Sequence, residues 1–197
     1  MKTSSTKYIC IYAASSTQID AAYFQAATQI GSLLAQHGYG IINGAGRIGL
    51  MQAVSDAALK KEGRVTGIIP KFMVEHGWQH DNLTELIVTD TMHERKQLMA
   101  EKSQGIIALP GGCGTLEEVL EVITWKQLGL FTKPIVILNT NNYYDPLLSQ
   151  LKRATEEHFM APHHSHLWHV ANSPEEALKL IMETPEWDTH LSKSKVL

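Results

Sequence analysis

The chain has 197 residues, 44% apolar and 19% charged, which is enough apolar material for one sizeable core and too little length for two ordinary domains. Seventeen Lys and Arg against twenty Asp and Glu leave a net charge of −3, which excludes a disordered polyelectrolyte and gives no support to a nucleic-acid-binding surface. Cys10 and Cys113 stand far apart without C-x-x-C spacing, so neither a disulfide framework nor a zinc knuckle is indicated, and a reducing, cytoplasmic compartment is expected.

At the N-terminus Lys2 and Lys7 precede a short apolar run, the order found in a secretory leader. That run is short and tyrosine-bearing, and it reads instead as a first strand, Tyr8 to Ala13. The stretch Ala21 to Gly46 carries no Asp, Glu, Lys or Arg and has the length of a membrane span. Gln25, Thr28, Gln29, Ser32, Gln36 and His37 interrupt it, so no membrane association is expected. It divides into a helix with an apolar face of Tyr23, Ala26, Ala27, Ile30, Leu33 and Leu34, a left-handed cap at Gly38, and a strand from Tyr39 to Asn43.

A second helix is expected from about Ile48 to Glu62, with Met51, Val54, Ala57 and Ala58 inward and Gly63 closing it. Strands follow at Val65 to Ile69 and Glu85 to Thr89. Thr91 and Glu94 then have the spacing of a capping box, which starts a third helix. After a strand at Gly105 to Leu109, a glycine-rich segment leads into a helix reaching Gly129, and a strand at Pro134 to Leu138 comes next. Asp145 with Pro146 opens a fifth helix, Leu167 to Val170 is a less marked strand, and Ser173 with Pro174 opens the last helix. The domain is expected to occupy residues 1–183, with a patternless tail at 184–197 that includes Lys193 and Lys195.

Short Ile, Val and Leu runs alternating with helical patterns are the signature of an α/β fold, a doubly wound, Rossmann-like parallel sheet covered on both faces. Such a sheet binds ligands outside the carboxyl ends of its strands. The chemistry-bearing residues of this sequence fall there. Pro110-Gly111-Gly112-Cys113-Gly114-Thr115-Leu116-Glu117-Glu118 follows one buried strand and enters a helix. Its glycines let backbone N–H groups turn towards an anion, the helix N-terminus adds partial positive charge, and Thr115 offers a hydroxyl. A glycine-rich turn is equally what a strand-to-helix junction without a ligand requires. The segment is not a Walker loop, because no Lys follows its last glycine.

A second glycine-rich loop, with Gly44, Gly46 and Gly49, occupies the equivalent place after another strand. Met92-His93-Glu94-Arg95-Lys96 puts two cations beside a third strand end, a pattern that also suits a solvated helix face. Glu117, Glu118 and Glu121 are favourably placed acids near a helix N-terminus, and Glu118, three residues past Thr115, shares its side of the helix.

The combination P-G-G-x-G-T-x-x-E, M-H-x-R-K and G-x-G-x-x-G-L-M resembles the Lonely guy family, often mislabelled as lysine decarboxylases. The similarity is nearly collinear from Ile9 to Ile181 and includes Thr124-Trp125, Gln127-Leu128-Gly129, Lys133-Pro134 and Tyr143-Tyr144. Members are Rossmann-like homodimers that hydrolyse the N-glycosidic bond of nucleoside 5'-monophosphates, typically cytokinin ribotides, to free base and ribose 5-phosphate. The resemblance implies that Arg95 and Glu118 are the catalytic pair. It also implies substrate contacts from Lys96, Gly112, Cys113, Gly114, Thr115, Leu116, Glu117, Thr124, Gly44, Gly46 and Met92, with no cofactor and no metal. Three departures bear on the base. The usual C-G-S-S-S-G after the first strand is Tyr12-Ala13-Ala14-Ser15-Ser16-Thr17, the family's triple glycine is Gly44-Ala45-Gly46, and a family acid falls near Gly77, with Glu75 the closest carboxylate.

Other features carry less. His158, His163, His164, His166 and His169 form a tract of metal-binding composition, but it lacks helical i, i+4 ligand spacing and contains Pro162. Cys113 lies where a thiolate would be favoured, yet it occupies the variable slot of the motif. Trp125, Trp168 and Trp187 read as core or subunit-interface residues. The rival of a different class is a non-catalytic nucleotide sensor of the same fold, since glycine cradles bind phosphate without hydrolysing anything.

Overall fold

The computed structural model describes residues 6–188. Among these, seven strands form one parallel sheet: β1 (Tyr8–Tyr12), β2 (Gly40–Asn43), β3 (Val65–Pro70), β4 (Glu85–Thr89), β5 (Ile106–Ala108), β6 (Ile135–Leu138) and β7 (His169–Ala171). Their spatial order is β4-β3-β2-β1-β5-β6-β7, so β1 pairs with both β2 and β5 and the winding reverses between β1 and β5. The helices are α1 (Ala21–Gln36), α2 (Gly49–Leu59), α3 (Lys71–Glu75), α4 (Met92–Glu101), α5 (Cys113–Gln127), α6 (Asp145–Glu156) and α7 (Pro174–Glu183). The expected single-domain, doubly wound α/β fold is therefore the one found.

Alternation along β1 divides the core into two layers. Ile9 and Ile11 face α1, α2 and α7, where they meet Ala27, Ile30, Leu34, Val54 and Leu178. Cys10 and Tyr12 face α4 and α5, where they meet Met99, Val119, Val122 and Ile123. Both faces of the central strands are thus dry, which is why their sequences are unbroken apolar runs. Trp125, Trp168 and Trp187 pack on the rim of the second layer.

The helix ends follow local chemistry. Thr91 accepts from the Glu94 N–H at 3.1 Å while the Glu94 carboxylate accepts from the Asp90 N–H at 2.9 Å, which ties down donors that a helix start leaves free. Ser173 caps α7 by accepting from the Glu176 N–H. Gly38 has φ of +76°, the expected left-handed stop to α1.

Four details differ from the sequence reading. α2 stops at Leu59, and the left-handed residue after it is Glu62 at φ 58°, not Gly63. Gly63 is needed for close approach instead, because a Cβ there would lie 2.6 Å from Ala35 Cβ. Leu167 is buried but belongs to no strand. Its N–H returns to the His164 carbonyl and closes a 3-10 turn over Pro162–His166, so β7 begins two residues later. Asp145 is the first residue of α6, not its cap, and accepts from Asn139 Nδ2 at 2.8 Å. The short, exposed α3 was not expected, being too brief to show a helical period.

The histidine tract does structural work in that 3-10 turn. His164 Nδ1 accepts from the Ala161 N–H at 3.2 Å, and the His163 and His164 rings meet edge to face. After α7 the chain at Thr184–Asp188 has neither helix nor strand, yet the Trp187 N–H donates to the Thr132 carbonyl at 2.7 Å. Lys193 and Lys195 lie outside the described residues. No described helix is long and apolar enough to cross a membrane.

Candidate active site

The reversal of winding between β1 and β5 opens a crevice at the carboxyl ends of the strands, where a doubly wound sheet takes its ligand. A cavity of about 310 Å³ lies there. The segment after β1 (Ala13, Ala14, Ser15, Ser16) forms one wall, and the start of α5 (Gly112, Gly114, Thr115, Glu118) forms another. Ile11, Gly44, Met51, Arg95 and Met99 complete it.

Arg95 enters from the first turn of α4. Its Nε donates to the Ile68 carbonyl of β3 at 3.1 Å, and its Nη1 lies 3.2 Å from Glu118 Oε1 on α5. The pair is withdrawn from solvent, at 6% exposure for Arg95 and 8% for Glu118. Burial pushes the Glu118 carboxyl above its usual value. The Arg95 charge beside it opposes that rise and Glu117 adds to it, with the net effect upward. A carboxylate poised in this way, within reach of space for a ligand, is the kind of group that catalytic sites arrange.

Gly44 explains why Arg95 can lie where it does. A Cβ at Gly44 would come within 1.9 Å of Arg95 Nη2. The loop that presents Gly44 is held on both sides, since Ala45 N–H donates to Asn43 Oδ1 at 2.9 Å and Ala45 O accepts from the His80 N–H at 2.8 Å. Ala45 itself sits at φ 60°, a conformation that an L-residue adopts only under such constraint.

The α5 cradle is open. Nothing lies within 4 Å of where a Cβ would stand at Gly112 or Gly114, so a ligand can approach the backbone N–H groups of the helix start. Thr115 is buried beneath Gly111, whose Cβ position would be only 2.1 Å from Thr115 Oγ1.

Several residues singled out in the sequence stand outside this cavity in the single chain. Lys96 is buried and forms ion pairs with Glu117 and, at 3.1 Å, with Glu121, linking α4 to α5. Burial alone would lower its pKa, but the two carboxylates outweigh that and hold it above its usual value, fully cationic. Cys113 is exposed, Leu116 packs into the second core layer, and Glu117 faces Lys96. Thr124, two turns further along α5 and exposed, donates its hydroxyl to the Leu120 carbonyl. Gly46 is covered by Met51, and Met92 does not line the cavity but sets its sulfur 4.0 Å from Arg95 Nη1. Glu75 is exposed at the end of α3 and does not line the cavity.

Sequence reasoning did not single out Ser15, Ser16, Met51 or Met99 as lining residues. Position just after a strand end was the available signal for the two serines, while Met51 read simply as an inward-facing helix residue.

Residues 51–181 match the sequence profile of the family described as "possible lysine decarboxylase". A cytokinin riboside 5'-monophosphate phosphoribohydrolase of Arabidopsis thaliana is 40% identical over 173 residues, covering 88% of this chain and 81% of that protein. One from Rhodococcoides fascians is 47% identical over 141 residues, 71% of each chain. Among solved structures, the molybdenum cofactor binding protein of Rippkaea orientalis superposes with a TM-score of 0.68 at 27% identity, over 90% of this chain and 96% of that one. The molybdenum cofactor carrier protein of Chlamydomonas reinhardtii, at a TM-score of 0.70 and 20% identity over 90% of this chain and 97% of that one, shares the fold. Identity at this level over most of the chain, with the profile match at residues 51–181, places the protein in the Lonely guy family, the group that the "possible lysine decarboxylase" profile describes.

Proposed function

We propose that this chain hydrolyses the N-glycosidic bond of a nucleoside 5'-monophosphate of the cytokinin ribotide or AMP type, giving free base and ribose 5-phosphate. The observation that carries the reading is the buried Arg95–Glu118 pair, 3.2 Å apart, in a cavity walled by the open N-terminus of α5. The phosphate accepts from the N–H groups of Gly112, Gly114 and Thr115, which places the sugar towards Glu118, one turn along the same helix.

Cleaving a ribosyl C–N bond builds positive charge on the sugar, and the Glu118 carboxylate stabilises it. The pair of electrons in the broken bond leaves with the base, which takes up a proton. Water adds to the anomeric carbon and gives up a proton in turn. Arg95, permanently protonated, holds Glu118 and offers positive charge to the departing base. Decarboxylation through a pyridoxal Schiff base would need a lysine amine at the cavity. Among the described residues no lysine lines it, and Lys96 is engaged by two carboxylates.

Incubation with a panel of nucleoside 5'-monophosphates should release base and ribose 5-phosphate in equal amounts. The matching nucleosides should be poorer by about a hundredfold in kcat/KM, the scale of losing two hydrogen bonds to a charged group at ~1.5 kcal/mol each. Equal turnover of nucleoside and nucleotide would refute the phosphate assignment, and binding without hydrolysis across the panel would favour a sensor.

We also infer a homodimer. Leu120, Leu128 and Leu130 leave an apolar strip exposed along and just beyond α5, at 39%, 59% and 74% exposure, on the helix that carries Thr124. Light scattering should give twice the 21.9 kDa chain mass, and a fully active monomer would overturn this.

A further inference from the structure

We infer that Tyr143 is a positioning residue for the substrate phosphate, acting through the Gly111–Gly112 peptide and setting the preference for nucleotide over nucleoside. The inference rests on the proposed phosphate site at the start of α5.

The geometry begins where β6 ends. Asn139 is buried, accepts from the Tyr144 N–H at 2.7 Å through Oδ1, and donates to Asp145 through Nδ2. Two consecutive residues after it, Asn141 and Asn142, are left-handed at φ 54° and 57°. This turn is costly for non-glycine residues, and Asn tolerates it best. Its product is a pair of tyrosines laid across the β5–α5 connection. Tyr144 Oη donates to the Leu109 carbonyl and Tyr143 Oη donates to the Gly111 carbonyl, each at 2.7 Å.

The two hydroxyls differ in what they accomplish. Tyr144 is 1% exposed, so its hydroxyl needs a buried partner for the sake of the fold, and the residue following Leu109 is Pro110, which has no N–H to orient. Tyr143 is 42% exposed, and solvent would satisfy its hydroxyl without any protein partner. It nevertheless holds the carbonyl of a peptide flanked by two glycines, the pairing whose orientation sterics restrict least. In a trans peptide the C=O and N–H point in opposite directions, so a carbonyl drawn to Tyr143 sends the Gly112 N–H the other way. Gly112 lines the cavity, and its N–H has no protein acceptor among the described residues. Tyr143 thereby selects the peptide orientation that presents the first donor of the cradle. Its ring is kept in place independently of the hydroxyl by edge contacts to Tyr23 and Tyr144, with centroids 6.0 and 5.2 Å away.

The test is Tyr143→Phe, which removes the hydroxyl and keeps the ring. KM for AMP and the dissociation constant of ribose 5-phosphate, measured by calorimetry, should both rise about tenfold, with kcat within about twofold of wild type. Residual hydrolysis of adenosine, which has no phosphate to place, should be unchanged, as should the melting temperature. Equal losses on AMP and adenosine, or a lowered melting temperature with both rates reduced, would make Tyr143 a structural residue only. If wild type and Tyr143→Phe bind ribose 5-phosphate equally, the Tyr143 inference fails and the phosphate site stands. If wild type itself binds none, the phosphate site fails, and the inference with it.

Discussion

Turnover should fall by about a hundredfold or more in Glu118→Gln, while binding of the nucleotide changes far less. The glutamine keeps the volume and still offers an oxygen to Arg95 Nη1, 3.2 Å away in the native pair, so the substitution removes charge and little else. That charge matters chiefly once the sugar becomes cationic, which confines the loss to the transition state. A hundredfold corresponds to ~2.7 kcal/mol, the scale of one well-placed electrostatic group. Single-turnover hydrolysis of AMP beside equilibrium binding separates the two effects. The native enzyme should also lose activity as the pH falls, because the working form is the carboxylate. Since burial raises the Glu118 pKa, that loss sets in above the ordinary glutamate range. An unaltered rate in Glu118→Gln would leave the proposal without a carboxylate. Glu117 and Glu121 are turned to Lys96, and among the described residues no other acid lines the cavity.

The strands were legible because a parallel sheet buried on both faces needs unbroken Ile, Val and Leu runs, and helix starts were legible where Thr91 and Ser173 announce caps. Strand order was not. Nothing local in Tyr8–Tyr12 says that it pairs with both β2 and β5, yet that pairing creates the crevice. The misplaced β7 has a definite cause. Leu167 is as buried as a strand residue, and burial alone does not distinguish a strand from a 3-10 turn that folds under the sheet. At Glu62 the chain takes a left-handed conformation beside a glycine that sequence reasoning favours for it, because the adjacent contact with Ala35 leaves no room for a side chain at position 63.

The site was readable where one short segment carries the chemistry. The α5 start shows its glycines, its threonine and its carboxylate in nine consecutive residues, and the structure brings four of them to the cavity wall. What the sequence could not give was the fate of neighbours on the same helices. Arg95 and Lys96 are adjacent, but a helix turns them about 100° apart, so one reaches the cavity and the other the α4–α5 seam. Likewise Tyr143 is a long way in sequence from Gly111, and only the left-handed turn at Asn141 and Asn142 brings it back.

Gly44→Ala should cost about as much activity as Arg95→Ala while leaving the fold almost untouched. The added Cβ would stand 1.9 Å from Arg95 Nη2 and 3.1 Å from its Cζ, and the next nearest atom is Met51 Sδ at 3.3 Å. The principal clash is thus with the far end of a flexible side chain, which can swing away. Swinging away, however, strains or breaks the bond from Nε to the Ile68 carbonyl or the contact with Glu118, the two anchors that fix the guanidinium. A displacement of about 1 Å at a catalytic group can cost a hundredfold in rate. Stability should drop by no more than about 1 kcal/mol, or ~2–4 °C in melting temperature for a domain of this size. The decisive comparison is the double variant. If Gly44→Ala acts by moving Arg95, it should add almost nothing to Arg95→Ala, a coupling that independent sites do not show. Wild-type turnover in Gly44→Ala, or losses that add in the double variant, would separate this glycine from Arg95 and leave its close approach without a catalytic purpose.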